Sequence, residues 1–229
     1  MSTTPIVAAF DLDGTLTEGG SVFHWLRFIT SDATVAAAAL PLLVPLTVGA
    51  IRSGHYADSA KERLFKTVLA GRDLAVVTAS SREFILHHLE EEGRPQVIAR
   101  LQWHRDQGHH VVIVSASPQI YVDILVEEFK IDGGLGTRLA VDDRGKLTGS
   151  YLGKNCRGTE KMRRLNEWIA SQGYDEEPEI YAYGNSRGDR RLLAGATHPF
   201  DAGKMGRWGA LRAYPRLGDE IPTIDHDGA

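Results

Sequence analysis

Apolar positions along the chain follow two patterns. Ile6-Val7-Ala8-Ala9-Phe10 is an unbroken apolar run, the signature of a short strand buried on both faces. Similar runs predict strands over His109–Ser117 and Glu179–Tyr183. Between them, apolar residues recur at helical spacing. Val22, Phe23, Trp25, Leu26 and Ile29 form one such set, and Leu64, Phe65, Val68 and Leu69 mark another within Ala57–Leu69. A helix over Glu83–Glu92 closes at Gly93; Pro95 opens one with Val97, Ile98 and Leu101 that closes at Gly108. Pro118 opens another with Ile120, Ile124, Leu125 and Phe129, and a helix over Thr159–Ala170 ends before Gly173. Arg138–Thr148, centred on Asp142-Asp143-Arg144-Gly145, predicts a β-hairpin. Strands alternating with helices predict an α/β fold with a parallel sheet. Residues 17–93 carry only helical patterns, so they read as an all-helical cap inserted after the first strand, with residues 1–16 and 94–229 as the core domain.

One stretch breaks both patterns. Ala33 to Ile51 holds nineteen residues without a charge, close to the length of a membrane span, but Pro41 and Pro45 favour two short helical pieces. A single crossing would put Asp11 on the opposite side of the bilayer from everything after Arg52. Three readings stay open: an apolar hairpin packed within the cap, a lipid-facing surface that would make peripheral contact with the inner membrane, or a homodimer seam. The helix after it presents Lys61, Arg63 and Lys66, either a solvated face or an attraction for an anionic substrate or lipid surface.

Composition narrows the rest. A net charge of −4 gives no reason to expect nucleic-acid binding. Cys156 is the only cysteine, which excludes an intrachain disulfide and fits a reducing compartment. Met1 to Pro5 carry no basic side chain and the apolar run behind them is too short for a signal peptide, so the expected location is cytoplasmic.

Chemistry-bearing residues collect where the strands end. Asp11 and Asp13 follow the first strand one residue apart, and Gly14 permits a tight turn that brings both over one point. Alone, such a pair fits an acidic solvated turn. With a divalent cation between them, it fits a reaction in which one carboxylate attacks and the other handles protons. Ser115 follows the second apolar strand, and Asn185 and Asp189 follow the last. Lys161 sits in a first helical turn between them. Loops at strand carboxyl ends of a parallel sheet converge on one crevice. His109 and His110, at the opposite end of their strand, read as surface residues.

Asp11-Leu12-Asp13-Gly14-Thr15 resembles the first motif of the haloacid dehalogenase (HAD) superfamily. Ser115, Lys161 and Gly184-Asn185 with Asp189 match its second, third and fourth motifs in order. The resemblance spans about Val7 to Ala202, and the helical insert places it nearest subfamily IB, the phosphoserine-phosphatase-like branch. It implies a Rossmann-like core and Mg²⁺-dependent hydrolysis of a phosphomonoester. Asp11 would attack phosphorus to give an aspartyl phosphate, and Asp13 would protonate the leaving group and then deprotonate water. Ser115, Ala116 and the Leu12 and Gly14 region would hold the phosphoryl oxygens with Lys161, for which Lys154 is a rival. Asp11, the Asp13 carbonyl and Asn185 or Asp189 would hold the metal. Asn185 stands where the family usually has Asp, which would weaken metal binding. Gly20 stands where phosphoserine phosphatases carry a Glu that reads the substrate ammonium, with Glu18 displaced from it. The uncharged segment is similar to caps of phosphatidylglycerophosphatase-C-like members, which implies a lipid-like or amphiphilic phosphate; the other classes are a small-metabolite phosphate, or a phosphate- or membrane-binding protein without catalysis.

Overall fold

The computed structural model describes residues 4–42, 54–205 and 208–218. β1 (Ile6–Phe10) lies at the centre of a five-stranded parallel sheet. Its neighbours are β2 (His110–Pro118) and β6 (Glu179–Gly184); β3 (Gly133–Thr137) lies outside β2, and β7 (His198–Asp201) outside β6. Phe10 pairs with Ile113 on one side and Tyr183 on the other, so the three central strands end at one level. The residues that follow them therefore face the same crevice.

Side-chain alternation along β1 splits the interior into two layers. Ala8 and Phe10 pack with Val97 and Leu101 of α5 (Pro95–Asp106) and with Tyr121 and Leu125 of α6 (Gln119–Phe129). Val7 and Ala9 pack with Leu165 of α7 (Thr159–Gln172) and with Leu192 and Leu193 of α8 (Arg190–Ala194). A strand covered on both faces can carry no charge until it leaves the sheet. That is why the first carboxylate is Asp11.

Residues 17–93 supply α1 (Ser21–Ile29), α2 (Asp32–Ala39), a 3₁₀ turn at Leu40–Leu42, α3 (Gly54–Leu69) and α4 (Leu74–Glu92). The chain leaves and re-enters the sheet domain at one place: the Glu18 amide donates to Glu92 at 2.7 Å and the Arg94 amide to Leu16 at 2.8 Å. Among the described residues, the insert's buried apolar side chains join the core of the sheet. Trp25, Leu64, Phe65 and Ile85 share one apolar cluster with Phe10 and Tyr121, and the Trp25 ring meets Tyr121 edge-on at 5.5 Å. Each such side chain contributes roughly 1.5–3 kcal/mol on burial, so seating the insert is a substantial part of folding.

The hairpin of β4 (Leu139–Val141) and β5 (Leu147–Tyr151) forms as the sequence suggests and packs on the cap. The Gly71 amide donates to Leu147 and the Leu147 amide to Arg72, both at 2.8 Å. Several elements differ from expectation. β3 is a glycine-rich strand, because a Cβ at Gly134 would lie 2.7 Å from Val122 and one at Gly136 2.8 Å from the Gln119 backbone. Close approach of α6 selects glycine against its poor strand propensity. β7 contains Pro199, tolerated on an edge strand. α4 begins at Leu74 rather than near Glu83, capped by the Asp73 carboxylate on the Ala75 and Val76 amides.

Of the uncharged segment, α2 buries Val35 and Ala38 against the cap, while Leu40 is 69% exposed. Its remainder, from residue 43, lies outside the described residues. Among those described, no helix is long and apolar enough to cross a membrane.

Gly149 sits at φ +76° with an added Cβ 2.5 Å from the Lys66 Cα. Gly149→Ala is expected to destabilise the protein by about 1–3 kcal/mol through strain and displaced packing, read as a lowered Tm. An unchanged Tm would mean that hairpin and cap are not held at this distance in solution.

Candidate active site

The turn after β1 is held from three sides. Gly14 takes φ +77°, and a Cβ there would fall 1.9 Å from the Asn185 side-chain nitrogen, so the loop after β6 can approach only a glycine. Arg94, at the return point of the insert, donates through Nη1 to the carbonyls of Gly14 (2.9 Å), Thr15 (3.1 Å) and Ala202 (2.5 Å). Its role was not legible in sequence, since a lone Arg before Pro95 carries no motif.

Lys161 reaches this turn from the first turn of α7. Its Nζ lies 2.6 Å from Asp11 Oδ1 and 2.5 Å from Asp189 Oδ1, with all three side chains buried. Burial alone would lower the ammonium's pKa; Asp11 and Asp189 outweigh it and raise it. Burial, then the like charge of Asp189, push the Asp11 carboxyl up to about 7 against the pull of Lys161. Burial also works to raise Asp189, yet Lys161 and Ser186 hold it below the usual carboxylate range. Lys154, the rival in sequence, is exposed and lines a different cavity, with Arg138 and Trp168.

Asp13 points elsewhere. Its Oδ1 accepts the Ser21 amide at 2.8 Å and its Oδ2 the Ser117 hydroxyl at 2.6 Å. Pairing of β2 with β3 slips between Val114 and Pro118, which frees Ser115, Ala116 and Ser117 from the ladder at the crevice. Ser115 Oγ accepts the Ser117 amide at 3.1 Å and keeps its own proton to donate. The Ala116 carbonyl accepts Lys61 Nζ of the cap at 2.6 Å and Thr137 Oγ1 at 2.7 Å. Asn155 joins this group, taking Thr137 Oγ1 at 2.7 Å and donating to Asp58 of the cap at 2.7 Å. Burial pushes the Lys61 ammonium down to about 8. Asp58 and Ser117 were missed in sequence, and Lys61 was read there only as part of a basic helix face, because only the fold brings cap and sheet together.

A cation would meet a fitting environment here. Asp11, Asp13 and Asp189 bring three carboxyl groups to the turn against the ammoniums of Lys161 and Lys61, and Asn185 Oδ1 is buried with no hydrogen-bond partner among the described residues. That orphaned oxygen beside Gly14 is a neutral hard donor of the kind Mg²⁺ takes. Asp189, the other expected ligand, has both of its oxygens engaged. Its Oδ1 is on Lys161, and its Oδ2 accepts the Asn185 and Ser186 amides and the Ser186 hydroxyl. Among the described residues, no three His, Cys, Asp or Glu side chains gather as a metal cluster, so a site here would draw on amide and backbone oxygens too. A cavity of about 580 Å³ opens beside the turn, lined by Asp13, Gly14, Asn185, Arg187 and Lys204. Glu18 sits on its wall, paired with Lys204 at 2.7 Å, so its charge is already answered.

Comparison with known proteins identifies the family. Residues 8–194 match the family model of haloacid dehalogenase-like hydrolases, and the chain belongs to that family. It is 30% identical over 199 residues to Protein CicA of Caulobacter vibrioides, covering 85% of this chain and 84% of that protein. It is 25% identical over 195 residues to a histidinol-phosphatase of Neisseria meningitidis serogroup C, covering 84% and 88%. A phosphoserine phosphatase solved as a phospho-aspartyl intermediate analogue shares the fold at TM-score 0.61 and 18% identity, over 87% of each chain.

Two expected outcomes follow from the geometry. Asn185→Asp adds a charge to the buried oxygen and is expected to lower the Mg²⁺ concentration for half-maximal protection against thermal unfolding; an unchanged value would remove Asn185 from the metal site. Glu160, beside Lys161, is held down to about 2, chiefly by its hydrogen bond from Arg163 and also by Arg164. A lowered folded pKa gives stability above the unfolded value that is lost as pH falls through the folded one. Glu160→Gln is therefore expected to cost on the order of 1 kcal/mol at pH 7, discounted for the exposed Arg163, and nothing below about pH 2. A pH-independent difference in Tm would contradict this.

Proposed function

We propose that this chain is a Mg²⁺-dependent phosphomonoester hydrolase in which Asp11 is the nucleophile and Asp13 carries the proton. The observation that carries this reading is the buried Lys161, fixed between Asp11 and Asp189 at the carboxyl ends of adjacent strands. A phosphate ester repels an anionic nucleophile, so a site for it needs cations set beside the attacking oxygen. Lys161 answers one Asp11 oxygen and leaves the other, which among the described residues takes just the Thr15 hydroxyl at 3.3 Å, for attack. The Ser115 hydroxyl and the amides of the two loops would bind phosphoryl oxygens.

Asp11, the Asp13 carbonyl and Asn185 would hold Mg²⁺, which when bound neutralises charge on the phosphoryl group. In the first step an Asp11 oxygen bonds phosphorus and the ester P–O bond breaks. The departing alkoxide takes its electron pair and a proton from Asp13. In the second, Asp13 removes a proton from water, whose oxygen bonds phosphorus while the electron pair of the aspartyl bond returns to Asp11. The family relationship and the phosphatase relative point the same way.

For the leaving group, the near full-length relative named histidinol-phosphatase favours a small polar alcohol. A second reading, an amphiphilic phosphate or peripheral contact with anionic lipid, is favoured by four cap side chains exposed to solvent: Phe23, Phe28, Leu40 and Val76. The helical insert fits the phosphoserine-phosphatase-like branch of the family.

Screening a panel of phosphate esters with Mg²⁺ is expected to find turnover that Asp11→Asn abolishes. Small alcohol phosphates should exceed lysolipid or prenyl phosphates in kcat/KM, with no cosedimentation on anionic vesicles. The reverse ranking with vesicle binding would establish the amphiphile reading. Turnover of Asp11→Asn at the wild-type rate would sink the mechanism.

A further inference from the structure

α1 of the cap starts without a cap residue of its own. Gly20 at its N-cap has no side chain to accept the unpaired amides of the first turn. The first of those amides, on Ser21, instead donates to Asp13 Oδ1 at 2.8 Å, so a residue of the sheet domain ends a helix of the insert. The other oxygen, Oδ2, takes the Ser117 hydroxyl at 2.6 Å. Behind both stands a third hydroxyl: Tyr121 OH lies 2.8 Å from Ser21 Oγ, which lies 3.5 Å from Ser117 Oγ. Ser21, Ser117 and Tyr121 are fully buried, in surroundings that are otherwise apolar: Trp25 and Phe84 pack edge-on or tilted against the Tyr121 ring.

We propose that Ser117 and Ser21, backed by Tyr121, are positioning residues that aim the Asp13 carboxylate, so that proton transfer to the leaving group requires the cap to be seated on the sheet. This rests on Asp13 being the proton carrier. A carboxylate on one rotatable bond sweeps an arc; two donors, one on each oxygen, fix its plane and leave a lone pair on each oxygen for the reacting groups. The two donors come from different parts of the fold. Ser117 belongs to the bulged end of β2, and the Ser21 amide moves with the cap. Lifting α1 removes one donor and exposes its helix terminus at the same time. Burial, then the charge of Asp13, hold the Tyr121 phenol well above its usual pKa, so it remains a neutral hydroxyl partner.

The chemistry offers a readout that general damage does not share. An alkoxide is a strong base and leaves only with a proton, whereas p-nitrophenolate is a weak base and leaves without one. The quantity to compare is kcat/KM at saturating Mg²⁺, which covers the steps through cleavage of the ester bond. Ser117→Ala is expected to lower kcat/KM for an alkyl phosphate about 10- to 100-fold, within the span of general acid catalysis, and that for p-nitrophenyl phosphate by no more than about threefold. Ser117→Thr, which restores a hydroxyl, should recover most of the loss. Tyr121→Phe should show the same selectivity at smaller amplitude and serves if Ser117→Ala does not fold, as judged by Tm. Asp13→Asn separates the two layers of the argument. If it shows the alkyl-selective loss while the Ser117 and Tyr121 variants lose both esters equally, or neither, the positioning proposal is overturned and the proton-carrier role stands. If Asp13→Asn itself shows no selectivity, or if the wild type hydrolyses neither ester, both fall.

Discussion

Everything in the site depends on one buried ammonium. Lys161 contacts Asp11 and Asp189 at hydrogen-bond distance with all three side chains buried, and removing the ammonium would leave two like charges facing each other inside the protein. Such a group persists only where the surrounding fold fixes every partner. Asp11 is fixed by β1, the middle strand. Asp189 is fixed by the short turn after β6, where Ser186 and Asp189 cap each other. Lys161 is fixed by the start of α7, whose first turn is braced by Glu160 between Arg163 and Arg164. The sheet order that places β6 beside β1 is thus a requirement of the ion pair, and the ion pair in turn sets which Asp11 oxygen stays available.

The helical insert is built into that arrangement rather than set on top of it. Its apolar side chains complete a cluster that starts on the sheet, and polar contacts tie it to the loops of the crevice. Lys61 donates to the Ala116 carbonyl, Asp58 accepts from Asn155 and the Ser21 amide donates to Asp13, while Arg94, where the chain returns to the sheet, braces the turn after β1. Cap placement therefore bears on the geometry of the reacting groups as well as on what enters. The exposed Phe23, Phe28, Leu40 and Val76 lie on the same insert.

Much of this could be read before the fold was known, and the limits have physical causes. β1 was legible because a strand buried on both faces admits no polar residue, and its end was legible because Asp11 and Asp13 cannot lie within it. Helix ends announced themselves through Pro95, Pro118 and Gly173. β3 was not legible: its glycines answer to the closeness of α6, which no local propensity records. The ordering of Asp11, Ser115, Lys161 and Asn185 could be read, but not the direction of Asp189, which turns to Lys161 because Ser186 and two amides hold its other oxygen. Ser117, Tyr121 and the partner of Lys61 were hidden for a different reason. A hydroxyl or ammonium gains a role only from what lies across an interface, and contacts such as Ser117 to Asp13 span 104 residues of chain.

The central claim is that Asp11 becomes phosphorylated, and the direct measurement is covalent capture. The enzyme would be mixed with a substrate and Mg²⁺, quenched in acid during turnover and reduced with borohydride, which converts an aspartyl phosphate to homoserine. Peptide mass spectrometry should then find homoserine at position 11 and nowhere else. Turnover with intact Asp11 in the reduced enzyme, or with homoserine at Asp13 or Asp189 instead, would contradict the account.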